Sequence, residues 1–203
     1  MQHFKNTFVI NLEYNSGLQV VYQNIHQNLI EKCCKNDTTA QYEVYKLYYK
    51  AMYNTSLRII NNRIEAEDIM QEAFLSAFQK ISTYKGEVSF GAWLKKIVVN
   101  QSLDFLKKRK IDLVSMEERP VEIKEEIEEL YLEEQQQEIR KVKETINELP
   151  DGYRIILSLY LLEGYDHEEI GEILNISGST SRSQFTRAKR KLVELLESKK
   201  VKI

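Results

Sequence analysis

Arg182, Gln184, Arg187, Arg190 and Lys191 are interleaved with Ser181, Phe185, Ala188, Leu192 and Leu195, and this second set falls at i, i+4, i+7, i+11 and i+14. That spacing is one narrow inward stripe on an α-helix, which leaves the basic and amide side chains on the outside. Arginine pairs best with the edge of guanine and glutamine with that of adenine, while arginine and lysine also hold phosphate. Thr180 and Ser183 add hydroxyls to the candidate set. Upstream, Leu149-Pro150 opens a helix with proline at its first position, and Gly164 closes it as a left-handed cap. A short helix follows from near Asp166, with Ile170, Ile173 and Leu174 on one face. Asn175-Ile176-Ser177-Gly178 then turns the chain before the basic helix begins near Ser179 or Thr180. Short helix, tight turn and longer helix with a basic outer face are the parts of a helix-turn-helix, whose second helix enters the major groove of DNA. From Gly178 to Ile203 eight bases (Arg182, Arg187, Lys189, Arg190, Lys191, Lys199, Lys200, Lys202) face two acids (Glu194, Glu197), in a chain of net charge -2. Basicity is therefore local, as a footprint on phosphate is when the rest of the surface meets another protein.

A second basic stretch lies earlier. Ser89 caps a helix in which Phe90, Trp93, Leu94, Ile97, Val98 and Phe105 turn inward, and Lys96, Asn100 and Lys107 line another face. From Lys95 to Lys110 there are six bases, Arg109 among them, against one acid, Asp104. The loop before it, Ser82 to Glu87, holds Tyr84 and Lys85 beside Gly86. A basic helix beside an aromatic-bearing loop suits single-stranded nucleic acid, whose backbone follows the charge and whose bases stack on rings. Spacing puts Trp93 in the core and leaves Tyr84 as the free aromatic.

These segments need elements to position them. Ala66, Ile69, Met70, Ala73, Phe74, Ala77 and Ile81 predict one helix with a regular inner stripe, and its outer face carries Glu65, Asp68, Gln71 and Glu72. That face is an acidic docking surface or a solvated one; a helical-bundle metal site wants Glu-x-x-His partners, and this region has no histidine. Val44, Leu47, Tyr48 and Ala51 predict a preceding helix to about Ile60, and Ile25 to Cys34 an earlier one, broken by Lys35-Asn36-Asp37. Residues 1–24 show no sustained period and read as a poorly ordered extension, with Phe8-Val9-Ile10 suited to a short strand. Between Glu117 and Glu138 ten acids meet only Arg119 and Lys124, the composition of a self-repelling linker.

With seven glycines and two prolines in 203 residues, the chain is expected to be all-α. It divides into two small helical domains, residues 25–112 and 139–203, joined by an acidic linker over 113–138. No apolar run reaches the roughly 18 residues a membrane span needs, and there is no basic-then-apolar leader, so no membrane insertion and a cytoplasmic location are expected. Cys33 and Cys34 are adjacent and share no ligand spacing with His3, His26 or His167, so no metal is expected. No Gly-rich phosphate loop, nucleophile elbow or metal constellation is present, which argues against an enzyme and against any cofactor.

The local strings resemble one family. Ala66-Glu67-Asp68-Ile69-Met70-Gln71-Glu72-Ala73-Phe74 is similar to the region 2 signature of extracytoplasmic-function (ECF) sigma factors, group 4 of the sigma-70 family. Trp93-Leu94-Lys95-Lys96-Ile97-Val98-Val99-Asn100, with Asp104 and the basic tail, looks like the stretch that follows it there. Leu149-Pro150, Tyr153-Arg154, Glu163-Gly164, Glu169-Ile170-Gly171 and Arg187-Ala188-Lys189 with Leu192 resemble region 4. The resemblance covers about residues 26–110 and 139–196.

It implies a protein that binds core RNA polymerase and directs it to promoter DNA, with an anti-sigma factor as a further partner. Asp68, Gln71 and Glu72 would dock on the polymerase. The Ser82 to Ser89 loop, with Tyr84 and Lys85, and the face of Lys96, Asn100, Lys107 and Arg109 would open and hold the −10 DNA. Thr180, Arg182, Ser183, Gln184, Arg187, Arg190 and Lys191 would meet the −35 duplex. The chain departs from the family at Ser181, which weakens one end of the buried stripe, and at Gln184, where an arginine is usual, so the family's promoter preference does not carry over. Two rivals remain: a helix-turn-helix regulator that binds duplex DNA without melting it, and a helical adaptor or enzyme whose basic faces are incidental.

Overall fold

A computed structural model describes residues 8–11, 20–23, 26–113 and 134–200. The described residues fall into two compact units: one reaches Ser56 and resumes over Arg63–Asp112, and the other takes Leu57–Asn62 with the residues from Leu113 onward. Apart from one antiparallel pair of short strands, β1 (Phe8–Asn11) and β2 (Val20–Gln23), every regular element among the described residues is helical. The strand expected at Phe8-Val9-Ile10 is thus present, with Val9 opposite Tyr22 and Ile10 opposite Val21.

The first unit is built from α1 (Gln27–Cys34), α2 (Thr38–Ile60) as far as Ser56, α3 (Arg63–Gln79) and α4 (Phe90–Leu113) as far as Asp112, with one 3-10 turn at Ile81–Thr83. All seven apolar residues of the expected stripe are buried, six on α3 from Ala66 to Ala77 and Ile81 in the 3-10 turn that follows. On α2 the buried row differs from the expected one. Ala40, Val44 and Met52 are buried with Tyr48 half-buried between them, whereas Leu47 is 49% exposed and Ala51 lies outside. The i, i+4 row of small and aromatic residues wins because it meets the aromatic side of the core: Tyr48 packs edge-on to Phe90, with ring centroids 5.5 Å apart. Phe90 is fully buried and also touches Tyr84 and Trp93, so three elements converge on one ring. Cys33 is buried in this core, and burial, reinforced by Cys34 and Asp37, pushes its thiol up to about 11. Its thiolate is therefore scarce near neutral pH.

The second unit contains α5 (Glu134–Asn147), α6 (Asp151–Leu157), a π-helical turn (Ser158–Leu162), α7 (His167–Leu174) and α8 (Gly178–Lys200). Ile146, Leu149, Ile156, Leu157, Leu159, Ile170, Ala188 and Leu192 form its interior. Pro150 sits one position before the first turn of α6, at its cap, and Gly164 has the expected left-handed backbone at φ +81°. Helix α5 begins at Glu134, so the last five residues of the acidic linker stretch are already helical. Most of that stretch, residues 114–133, lies outside the described residues, as do parts of the 1–24 extension. Among the described residues no helix is long and apolar enough to cross a membrane.

Replacing Phe90 with Ala removes the shared ring and should destabilise the first unit by about 3–5 kcal/mol, whereas Leu75→Ala, at an exposed position, should stay within about 0.5 kcal/mol. Urea unfolding followed by the fluorescence of Trp93, the single tryptophan, reports this unit directly.

Candidate nucleic-acid and protein interfaces

Helix α7 starts where the sequence spells a start. Asp166 is its cap: its carboxylate accepts from the backbone N–H of Glu168 and of Glu169, both at 2.8 Å, and the Glu169 carboxylate accepts from Asp166 N–H at 2.8 Å. This reciprocal pairing satisfies donors that a bare helix end would leave open. Asn175 ends the helix in the left-handed conformation, φ 56°. The turn is tight, because a Cβ on Gly171 would come within 2.8 Å of the Ile176 carbonyl oxygen. Helix α8 begins at Gly178, slightly earlier than expected, and Ser177 Oγ accepts from Thr180 N–H at 3.1 Å to cap it.

The inward row of α8 is confirmed. Ser181, Ala188 and Leu192 are buried, and Phe185 and Leu195 are half-buried. Ser181 does not leave a gap in this row, because its hydroxyl shares a 2.9 Å hydrogen bond with His167 Nδ1. Tyr160 stacks on the His167 ring at 4.6 Å, and Phe185 covers both rings. A polar pair shielded by aromatic faces thus ties α7 to α8 where an aliphatic contact would be usual. Tyr165 sits nearby, and burial, then the carboxylates of Glu163 and Glu169, pushes its phenol up to about 12.

The outward side chains divide by what holds them. Arg187 and Arg190 are exposed, and Gln184 is half-buried, sharing a shallow groove with Arg187, Pro150, Gly152 and Tyr153. Lys191 pairs with Glu194 at 3.2 Å along its own helix. Ser183 donates its hydroxyl to the Ser179 carbonyl and Thr180 turns its hydroxyl to Ser177, so both are engaged locally. Arg182 reaches across to α7, where its Nη1 donates to Glu168 at 2.9 Å. Periodicity along α8 gives no sign of Glu168; the signal was that Asp166 and Glu169 fill the capping pattern without it.

In the first unit Ser89 caps α4 as expected, accepting from Ala92 N–H at 3.3 Å. Lys96 and Asn100 are exposed one turn apart, Lys107 pairs with Asp104 at 3.3 Å, and Arg109 pairs with Glu65 of α3 at 3.0 Å. Arg109 is thus held by α3 and stands apart from the Lys96 and Asn100 face. Tyr84 is not the free aromatic the sequence suggested. Its ring packs on Phe90 and Trp93, and its hydroxyl donates to the Val88 carbonyl at 2.7 Å, which closes the loop on itself. Aromatic neighbours six and nine residues downstream outcompete solvent for that ring. Lys85, Glu87 and Val88 are exposed around Gly86 at φ +75°, as are Ser82 and Thr83 at the start of the loop.

On α3, Asp68, Gln71 and Glu72 are exposed and share their side with Ile64 and Leu75, both exposed. The result is an acidic centre flanked by apolar ends. Gln71 donates to Glu67 at 3.4 Å. Among the described residues no cluster of three His, Cys, Asp or Glu stands close enough to hold a metal ion.

Two family models match this chain: Sigma-70 region 2 over residues 44–111 and Sigma-70, region 4 over residues 139–192. The ECF RNA polymerase sigma factor SigW of Bacillus subtilis (strain 168) is 30% identical over 172 residues, covering 80% of this chain and 92% of that protein. SigM of the same strain is 29% identical over 154 residues, covering 75% and 93%. Among solved structures, the sigma factor RpoE of Bartonella quintana in complex with the anti-sigma factor NepR shares the fold, with a TM-score of 0.57, 21% identity, and coverage of 76% and 95%. The first unit carries a sigma-70 region 2 and the second a region 4, and the chain belongs to the ECF sigma factors of the sigma-70 family.

The close approach at Gly171 makes a direct prediction. Gly171→Ala should cost about 1–3 kcal/mol, because the added methyl must displace backbone of the turn. Gly152→Ala, whose Cβ would meet nothing within 4 Å, should not destabilise the protein. Far-UV circular dichroism during urea unfolding separates the two.

Proposed function

We propose that this sigma factor binds core RNA polymerase through α3, holds the opened −10 DNA on α4 and its preceding loop, and reads the −35 duplex with α8. The boundaries that go with this reading are an extension over residues 1–24, a region 2 domain over 25–112, an acidic tether over 113–138 and a region 4 domain over 139–203. The observation that carries it is the α7–α8 pair: a short capped helix, a tight turn, and a second helix with a small buried row and Arg182, Gln184, Arg187 and Arg190 turned away from it. That is the geometry of a helix set into a major groove, with its first turns towards base edges.

Residue roles follow from position. Arg182 and Gln184, in the first two turns, contact bases; Thr180 and Ser183 lie among them. Arg187, Arg190 and Lys191, further along, contact phosphate and set register without specifying sequence. On the first domain, Lys96 and Asn100 face the separated strands, Lys85 sits at the loop tip, and Lys107 and Arg109 add positive charge behind them. Tyr84 acts by shaping the loop, since its ring and hydroxyl are already committed. Opening DNA costs about 1.4 kcal/mol per base-pair step and one captured base returns about 1–3 kcal/mol, so a loop with few captures demands a good promoter match.

Asp68, Gln71 and Glu72 form the polymerase-docking centre, and the exposed Ile64 and Leu75 beside them give the mix of charged and apolar groups that protein interfaces use. An anti-sigma factor as a further partner, a cytoplasmic location and the absence of enzymatic activity rest on the family resemblance. A regulator that binds duplex DNA without melting it would use α8 alone and leave the acidic face of α3 without a task.

Arg182→Ala should weaken binding at one or two −35 positions by about 1–3 kcal/mol, whereas Arg190→Ala should lower affinity for matched and scrambled −35 sequences alike. Competition binding of the polymerase-bound protein to the two DNAs reads the difference; equal losses for both variants would contradict the assignment. Asp68→Arg combined with Glu72→Arg should abolish co-purification with core polymerase while circular dichroism stays unchanged. Retention on core would show that docking occurs elsewhere.

A further inference from the structure

Glu168 lies in the first turn of α7, where its charge suits the helix end, but it takes no part in the cap. Three acids crowd the start of α7, and two of them, Asp166 and Glu169, complete its cap between themselves. Helix α8 has its own cap in the Ser177 hydroxyl. The Glu168 carboxylate instead crosses to α8, where it accepts from Arg182 Nη1 at 2.9 Å and lies against Gly178, in the space a Cβ there would fill. The two side chains are 70% and 56% exposed, so neither burial nor packing explains the pair. A carboxylate at the leading end of a helix that meets DNA is repelled by every phosphate near it, a cost that needs a return.

We infer that Glu168 is a specificity-determining positioning residue, which holds one nitrogen of Arg182 so that its guanidinium addresses a base edge and not the DNA backbone. The inference rests on the proposed reading of α8 as the −35 helix and deepens it. A guanidinium carries five N–H donors in a rigid planar fork. With Nη1 on Glu168, the fork loses its freedom to rotate, and the remaining donors point in one direction. A guanine, with two acceptors on its major-groove edge, can be met from that position. A phosphate cannot be met as easily, because it would have to approach the carboxylate as well as the arginine. Discrimination then comes both from the contact favoured and from the contact opposed.

The test uses the full chain assembled with core polymerase, and DNA fragments carrying a −35 element selected by that holoenzyme from a randomised library, against a scrambled version. Glu168→Gln keeps the shape and removes the charge. It should raise affinity for scrambled DNA and lower the matched-to-scrambled ratio about two- to five-fold, the range expected for an exposed ion pair. The salt dependence on scrambled DNA should steepen by about 0.9 in log–log slope if one phosphate contact is gained. Gly178→Ala, which forces the carboxylate aside, should reproduce the loss of discrimination with Glu168 still present. In an Arg182→Ala background the effect of Glu168→Gln on the ratio should vanish, which a merely structural or general repulsive role would not produce. If Glu168→Gln leaves the ratio unchanged, or shifts matched and scrambled DNA equally in both backgrounds, the inference is overturned while the reading of α8 stands. If Arg182→Ala leaves base preference untouched at every position, the reading of α8 itself fails and the inference with it.

Discussion

The close seam between α7 and α8 is the constraint on which the DNA-facing half of the molecule depends. Gly171 lets the turn fold back onto α7, and Ser181 and Ala188 keep the inward row of α8 small enough to lie against it. Once that row is fixed, the 3.6-residue period settles the orientation of the others: Arg182, Arg187 and Arg190 have nowhere to go but outward. The hydrogen bond between His167 and Ser181, under the rings of Tyr160 and Phe185, supplies at the leading end of the seam a directional contact. A hydrogen bond restrains rotation of one helix about its axis more tightly than an aliphatic contact does, and rotation is what would blur a base-reading surface.

Charge is distributed to match. Bases gather on α8 and along α4, acids on the outer side of α3 and in the stretch before α5, and the sum over the chain is only -2. Long-range attraction to DNA is therefore confined to two helices, and the surface proposed to meet polymerase is of opposite sign. Within the basic helices several charges are already paired along or between helices, as in Lys107 with Asp104, Arg109 with Glu65, Lys191 with Glu194 and Arg182 with Glu168. Such exposed pairs contribute little to stability. Their effect is to fix where a long side chain rests before DNA arrives.

Much of this was legible in the amino-acid order, wherever one helix carries the information by itself. The inner stripe of α3, the start of α7 beside Asp166, the left-handed glycine at 164 and the inward row of α8 are all local patterns, and each appears as written. The two misreadings and one omission share another cause. On α2 the apolar Leu47 stays outside because Tyr48 has an aromatic partner in α4 and Leu47 has none inside. Tyr84 packs against Phe90 and Trp93 because two rings of α4 lie within reach, a fact the loop's own composition does not carry. Glu168 joins Arg182 across a turn, fourteen positions apart in sequence. Contacts between elements decide these three, and periodicity within one element does not encode them.

The central claim is that α8 meets paired DNA while α4 meets separated strands. A photo-crosslinking residue placed at Gln184, and in a second protein at Lys96, tests it in the holoenzyme bound to a promoter fragment. The account predicts that position 184 crosslinks to duplex around the −35 element, and that position 96 crosslinks to the −10 segment only under conditions that permit opening. Crosslinks from both positions to the same segment, or from position 96 to DNA held closed, would contradict it.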